Sequence, residues 1–156
     1  MLRSFILCLL LINFLACSKS EKIYVPAENK NAYQTYKEGL DAFKKNDFFF
    51  ASKKFSEAEL QFKVIELAAK SSIMSAFSLY GINFYDESLS NIERYLKTYP
   101  SDKNIIYANY LEAIIYFEQI SDEKKDLEPL LLAKEKIDFF LDEYPNSEYA
   151  IDLNFK

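Results

Sequence analysis

From about residue 30 onward, apolar residues recur every three or four positions. Only two glycines, Gly39 and Gly81, interrupt the pattern, and this periodicity predicts helix throughout. Before it come two segments of different character. Residues 1–16, MLRSFILCLLLINFLA, carry one positive charge at Arg3 and then an almost unbroken apolar run, the layout of an export leader. The run is shorter than the roughly 20 apolar residues a spanning helix needs, and it stops at Cys17. Residues 17–29 have no regular apolar period and contain Pro26, so they are expected to form a tether.

The helical region is self-similar. Ile92-Glu93-Arg94-Tyr95-Leu96-Lys97-Thr98-Tyr99-Pro100 aligns with Ile137-Asp138-Phe139-Phe140-Leu141-Asp142-Glu143-Tyr144-Pro145. The phase extends back to Ala51, Phe55 and Ala58, which correspond to Ser88, Ile92 and Tyr95 and then to Ala133, Ile137 and Phe140. Spacings of 37 and 45 residues are close to a tetratricopeptide unit of about 34 with insertions. The expectation is an all-α, tetratricopeptide-like α-α hairpin solenoid, a right-handed superhelix filling residues 30–156. Its hairpins lie near 30–63, 67–98 and 104–143, with a partial fourth at 146–156. Small residues, Gly39, Ala51, Ala58 and Ala76, are expected where helices approach most closely; Phe43, Phe55, Tyr95, Phe117 and Phe140 stand at core phases. The third hairpin carries a charged loop, Ser121 to Glu128, ahead of Pro129. The residues after Pro145 start another helix that ends without a polar cap, so the chain reads as C-terminally truncated, with Tyr149, Ile151, Leu153 and Phe155 expected to be exposed.

Phe14-Leu15-Ala16-Cys17 resembles a lipoprotein processing site. It implies that Cys17 becomes an acylated N-terminus carrying a diacylglycerol and an N-acyl chain, with no other cofactor. Two or three acyl chains hold a protein on a membrane, where one is marginal. Ser18 resembles an outer-membrane sorting signal, giving an expected location on the periplasmic face. Cys8 would leave with the leader, so no disulfide framework is expected. Losing Arg3 as well takes the net charge of −5 to −6, which argues against nucleic acid as a partner.

The sequence contains no histidine, which removes the commonest general base and metal ligand. The adjacent carboxylates Asp86-Glu87 and Asp142-Glu143 point in different directions on a helix and are expected to be solvated. Asp122, Glu123 and Asp126 lack the spacing and central glycine of a calcium loop. No catalytic or metal site is expected. Aromatic residues make up 17% of the chain. If the first helix of each hairpin lines the concave face, then Tyr33, Tyr36, Tyr80, Tyr107 and Tyr110 are the candidates for a peptide-binding groove, each able to stack and to donate a hydroxyl hydrogen bond.

Several motifs, in order, resemble the BamD (ComL) lipoproteins of the outer-membrane β-barrel assembly machinery. They are Tyr24-Val25-Pro26; Tyr36, Gly39 and Phe43 with Asp47-Phe48, Ala51 and Phe55; Tyr107-Ala108 with Tyr110-Leu111; Tyr116-Phe117-Glu118-Gln119-Ile120-Ser121-Asp122 with Asp126; and Tyr144-Pro145 with Ser147-Glu148-Tyr149-Ala150. The resemblance implies an assembly factor without enzymatic activity. It would bind unfolded outer-membrane protein precursors and work beside a BamA-like barrel protein and other BAM lipoproteins. It singles out Gln119, Ser121, Asp122 and Asp126 as a motif loop, and it covers roughly the N-terminal three fifths of the family's usual length. Other readings of the same pattern are a different tetratricopeptide envelope scaffold, the helical part of a lytic transglycosylase without its catalytic domain, and a non-functional fragment.

Overall fold

In the computed structural model, residues 31–120 and 127–156 are described. They form α1 (Ala32–Lys44), α2 (Phe48–Gln61), α3 (Ile65–Tyr80), α4 (Tyr85–Thr98), α5 (Ile105–Glu118), α6 (Glu128–Glu143) and α7 (Glu148–Leu153). Consecutive helices pack together as hairpins, α1 with α2, α3 with α4 and α5 with α6, and successive hairpins stack. The described residues are thus an all-helical hairpin solenoid.

Local chemistry sets the helix ends. The side chains of Asn31, Asp47 and Ser147 accept hydrogen bonds from Tyr33 N (3.1 Å), Phe50 N (3.3 Å) and Ala150 N (3.2 Å), satisfying amides that a helix leaves free at its start. Asn46 and Asn83, at φ 60° and 59°, turn the chain within the first and second hairpins; asparagine tolerates this left-handed region better than other non-glycine residues. Pro129 sits in the first turn of α6, where the missing N–H costs nothing.

The three aligned positions of each second helix face inward. Ala51, Phe55, Ala58, Ser88, Ile92, Tyr95, Ala133 and Phe140 are buried, and Ile137 is half-buried. Phe43 and Phe117 are also only half-buried, because each lies at the end of a first helix where the stack opens to solvent. Central to the stack, α3 buries Ala68, Ala69, Ser71, Ser72, Ser75, Ala76 and Ser78, so it meets its neighbours through small side chains on most of its circumference. The serines bond locally: Ser52 and Ser56 meet Ser75 at 3.0 and 2.9 Å, and Ser88 Oγ donates to Ala76 O at 2.8 Å. At the C-terminal end, Ala150 and Leu153 pack on Ala113, Ile114 and Phe140. This corrects the expectation of an exposed Leu153, because α7 folds back over α5 and α6. Ile151 and Phe155 are exposed, and Tyr149 is half-buried.

Gly39 marks the closest approach of the first hairpin: a Cβ there would lie 2.9 Å from two ring carbons of Phe55, itself fully buried. Replacing glycine by alanine within a helix normally gains about 1 kcal/mol, but overpacking a fixed core ring costs about 1–3 kcal/mol. Gly39→Ala is therefore expected to lower stability by about 1 kcal/mol in urea denaturation, and Phe55→Leu in the same chain to remove the clash. Gly81, where an added Cβ finds only ordinary contacts at 3.4 Å and beyond, is expected to accept alanine without loss.

Candidate functional site

The first helices of the hairpins are joined by rings. Phe43 of α1 meets Phe77 of α3 at 5.8 Å between centroids, Phe77 meets Tyr107 of α5 at 6.2 Å, and Tyr107 meets Tyr149 of α7 at 5.8 Å. One aromatic side chain per helix thus forms a ladder along the stack. Tyr80 branches from Phe77 at 6.1 Å and reaches Tyr85 at 6.3 Å. Tyr110 branches from Tyr107 at 6.3 Å and stacks on Tyr149 at 4.6 Å with an interplanar angle of 23°. Offset and tilted aromatic pairs contribute about 0.5–1.5 kcal/mol beyond their burial. The face is therefore stiff before any ligand arrives.

The phenols of this face stay protonated well beyond neutral pH. Burial pushes Tyr80 up, helped by Glu118, and burial among Tyr149, Tyr110 and Tyr80 pushes Tyr107 up further. Tyr110 is pushed up to about 12, first by burial and then by its hydrogen bond to Asp152, to which its hydroxyl donates at 2.9 Å. The face thus offers flat apolar rings with neutral hydroxyls and, in Glu118 and Asp152, exposed carboxylates at its margin. Such a surface suits an extended polypeptide carrying aromatic side chains and unpaired amides. The described residues show no cluster of histidine, cysteine and carboxylate side chains able to hold a metal.

The five tyrosines expected to line a groove divide into two groups. Tyr80, Tyr107 and Tyr110 share the ladder face. Tyr33 and Tyr36 form a separate cluster at the opposite end of α1, with Phe62 at 5.1 and 6.2 Å, Phe55 at 5.3 Å from Tyr36, and Lys70 above the Tyr36 ring. They diverge because Tyr36 lies seven residues before Phe43, two turns away along the same helix. Gln119 ends α5, its amide donating to Ile115 O at 3.2 Å, and it borders a shallow cavity of about 310 Å³ with Asn83, Phe84, Tyr85, Asp86 and Glu87. Cys17, Ser121, Asp122 and Asp126 lie outside the described residues. Phe43 and Phe77 had no assigned role beyond core packing, although Phe77 stands three residues before Tyr80 and so shares its helix face.

A second feature had no sequence signal. Glu59 of α2 is buried and accepts two hydrogen bonds from Arg94 of α4 at 2.5 and 2.7 Å, while Tyr99 donates to it at 3.0 Å. Arg94 also donates to Ser72 of α3 at 3.1 Å. Three helices are clamped through one guanidinium. Behind it, Tyr95 of α4 donates to Asp102 at 2.5 Å, fixing the turn into α5.

Together, the stacked hairpins define a helical-repeat protein of the tetratricopeptide type. A family profile described as outer membrane lipoprotein, YfiO, matches residues 28–156, so this chain belongs to that family. It is similar to the outer membrane protein assembly factor BamD of Caulobacter vibrioides, at 31% identity over 138 residues, 88% of this chain and 45% of that protein. The BamD proteins of Rickettsia prowazekii and Xylella fastidiosa match at 29% and 26%, over 78% and 75% of this chain and 48% and 44% of theirs. The chain thus spans less than half the length of these relatives. None of its described helices is long and apolar enough to cross a membrane.

Two predictions follow from the geometry. Removing Arg94 leaves the buried Glu59 carboxylate with only Tyr99, and unpairing a buried ion costs about 3 kcal/mol. Arg94→Met should lose about that much in chemical denaturation, and Glu59→Leu with Arg94→Met should recover most of it. The second concerns alkali. Tyr99, pushed up to about 12 by burial and by Glu59, and Tyr110, likewise at about 12, both titrate above the unfolded value of 10. Their contribution is complete below pH 10 and is lost as pH rises towards 12. Melting temperature should fall across that window, and less steeply in Tyr110→Phe.

Proposed function

We propose that this chain is an outer-membrane assembly lipoprotein whose ladder face holds unfolded outer-membrane protein precursors on their way to insertion. The observation that carries this reading is the row of Phe43, Phe77, Tyr107 and Tyr149 across four consecutive first helices, in a chain similar over most of its length to proteins named for outer membrane protein assembly. An extended precursor segment with aromatic side chains would stack along the row and satisfy its amides on the tyrosine hydroxyls and on Asp152 and Glu118. A ladder already ordered by its own contacts loses little further freedom on binding. The activity is recognition without covalent chemistry, so the protein is not an enzyme and needs no cofactor beyond acyl chains at Cys17.

Those chains would hold the domain on the periplasmic face of the outer membrane. The resemblance supplies the remaining partners: a BamA-like barrel protein, other BAM lipoproteins, and no nucleic acid. Sharing one membrane with the barrel protein makes hand-over effectively intramolecular, so modest affinity suffices.

Site-specific photo-crosslinking in envelope membranes tests the reading. Probes replacing Tyr80 and Tyr110 are expected to capture barrel precursors, and a probe replacing Tyr33 to capture several-fold less. Equal capture from all three positions, or none with the acylated protein present, would overturn it. Capture of the barrel protein in the same experiment would show that docking needs no residues beyond these.

A further inference from the structure

The turn between α2 and α3 is apolar where its counterparts are polar. At the same end of the stack, the α4–α5 turn reads Tyr99-Pro100-Ser101-Asp102-Lys103-Asn104 and the α6–α7 turn Tyr144-Pro145-Asn146-Ser147, both polar after the proline. The α2–α3 turn is flanked by Leu60 and Ile65 and contains Phe62 and Val64, and Leu60, Val64 and Ile65 are 87%, 49% and 62% exposed. Val64 also occupies the position where a helix prefers a serine or aspartate, and it makes no side-chain cap. Asn104 at the start of α5 makes no side-chain cap either, but its own N–H is taken by Asp102 Oδ1 at 2.9 Å. An exposed apolar side chain stands where Asn104 and Ser147 stand in the other two turns.

The apolar surface continues inward from Ile65. Ala69, Tyr99 and Pro100 line a cleft of about 520 Å³ between the start of α3 and the α4–α5 turn. Lys63 and Lys103 stand exposed around it with Glu66, while Asp102 is occupied by Tyr95 and Asn104. The other end of the stack is more acidic, although it too exposes aliphatic side chains, Leu127 and Leu131 at the start of α6. Asp47, Asp86, Glu87 and Glu118 are exposed there, and of its exposed rings Phe49 meets Phe84 at 6.3 Å and Phe50 lies beneath Lys54. The chain also enters at the apolar end, since Tyr33 at the start of α1 packs on Phe62.

We propose that the α2–α3 turn and the adjoining cleft form a lipid-contacting surface, with Val64 and Ile65 seated at the acyl boundary of an anionic phospholipid leaflet and Lys63 and Lys103 among its headgroups. Exposed aliphatic side chains beside lysines are the composition that favours the membrane interface. The inference rests on the anchored reading above. A tether of residues 17–30 spans at most about 50 Å when extended, so the anchor keeps the domain within reach of the bilayer but leaves its orientation open. The turn supplies a second point of attachment and fixes the orientation, with the acidic end pointing away from the membrane.

The test uses the full acylated chain in phosphatidylethanolamine–phosphatidylglycerol vesicles containing doxyl-labelled lipid. An environment-sensitive dye is placed at Ser101→Cys, on the proposed surface, or at Lys44→Cys, at the far end. Quenching at Ser101→Cys is expected to be at least threefold stronger and to weaken with salt. Val64→Asp with Ile65→Asn should bring it down to the Lys44→Cys level. The same change places a carboxylate at the helix start, so melting temperature should hold or rise, separating lost lipid contact from lost fold. Equal quenching at the two ends would overturn the proposal, as would quenching that survives the double substitution. Quenching that appears only when a precursor or BamA is added would assign the surface to a protein partner and overturn it too. Flotation with the vesicles reports the anchor and crosslinking from Tyr110 reports precursor recognition, so failure of either is distinguishable from failure of this inference.

Discussion

The close approach of α3 to both flanking helices is the constraint on which the rest of the structure depends. Alanine and serine occupy all but one, Ile73, of its buried positions from Ala68 to Ser78, so α2 and α4 come near enough for Ser52, Ser56 and Asn91 all to reach Ser75. Larger side chains on α3 would force the hairpins apart, since a close-packed interior has no slack to absorb even a methylene cheaply. The clamp of Glu59 by Arg94 and Tyr99, with Ser72 accepting from the same guanidinium, depends on the same spacing, because it joins side chains from three helices and the turn beyond.

That spacing generates the aromatic face. With the second helices locked behind them, the first helices are presented side by side, and one ring from each meets the next. The ladder is a consequence of hairpin stacking as much as of any local motif. It is tied to the core: Tyr149 belongs to a six-residue helix whose buried anchors, Ala150 and Leu153, pack on Phe140, Ala113 and Ile114, so the last rung of the ladder is held by the core of the third hairpin. The hydrogen bond from Tyr110 to Asp152 ties that rung to α5 from the exposed side.

The helices and their pairing were legible because burial in a solenoid repeats with the sequence. Ala51, Ser88 and Ala133 are equivalent both in alignment and in burial, as are Ala58, Tyr95 and Phe140. The candidate groove was only partly legible. Helix periodicity identifies the face to which Tyr36 belongs but not which turn of that face meets the neighbouring hairpin, and that distance along the axis separates Tyr36 from Phe43. Phe77 drew no assignment, because a half-buried ring shared between helices and one lining a groove have the same sequence signature. Leu153 was misjudged because α7 turns back onto α5 and α6, a long-range arrangement that its own six residues do not encode. The Glu59–Arg94 pair is 35 residues apart and carries no local periodic signal.

Amide hydrogen exchange of the acylated chain, alone and with a peptide copying the aromatic-ended C-terminal strand of a barrel precursor, tests the central claim most directly. If the ladder face holds the precursor, exchange should slow in the second half of α3, from Ile73 to Tyr80, and along α5 from Tyr107 onward, with α2, α4 and α6 unchanged. Slowing confined to the outer helices or to the turn from Gly81 to Tyr85, with α3 and α5 unaffected, would contradict it.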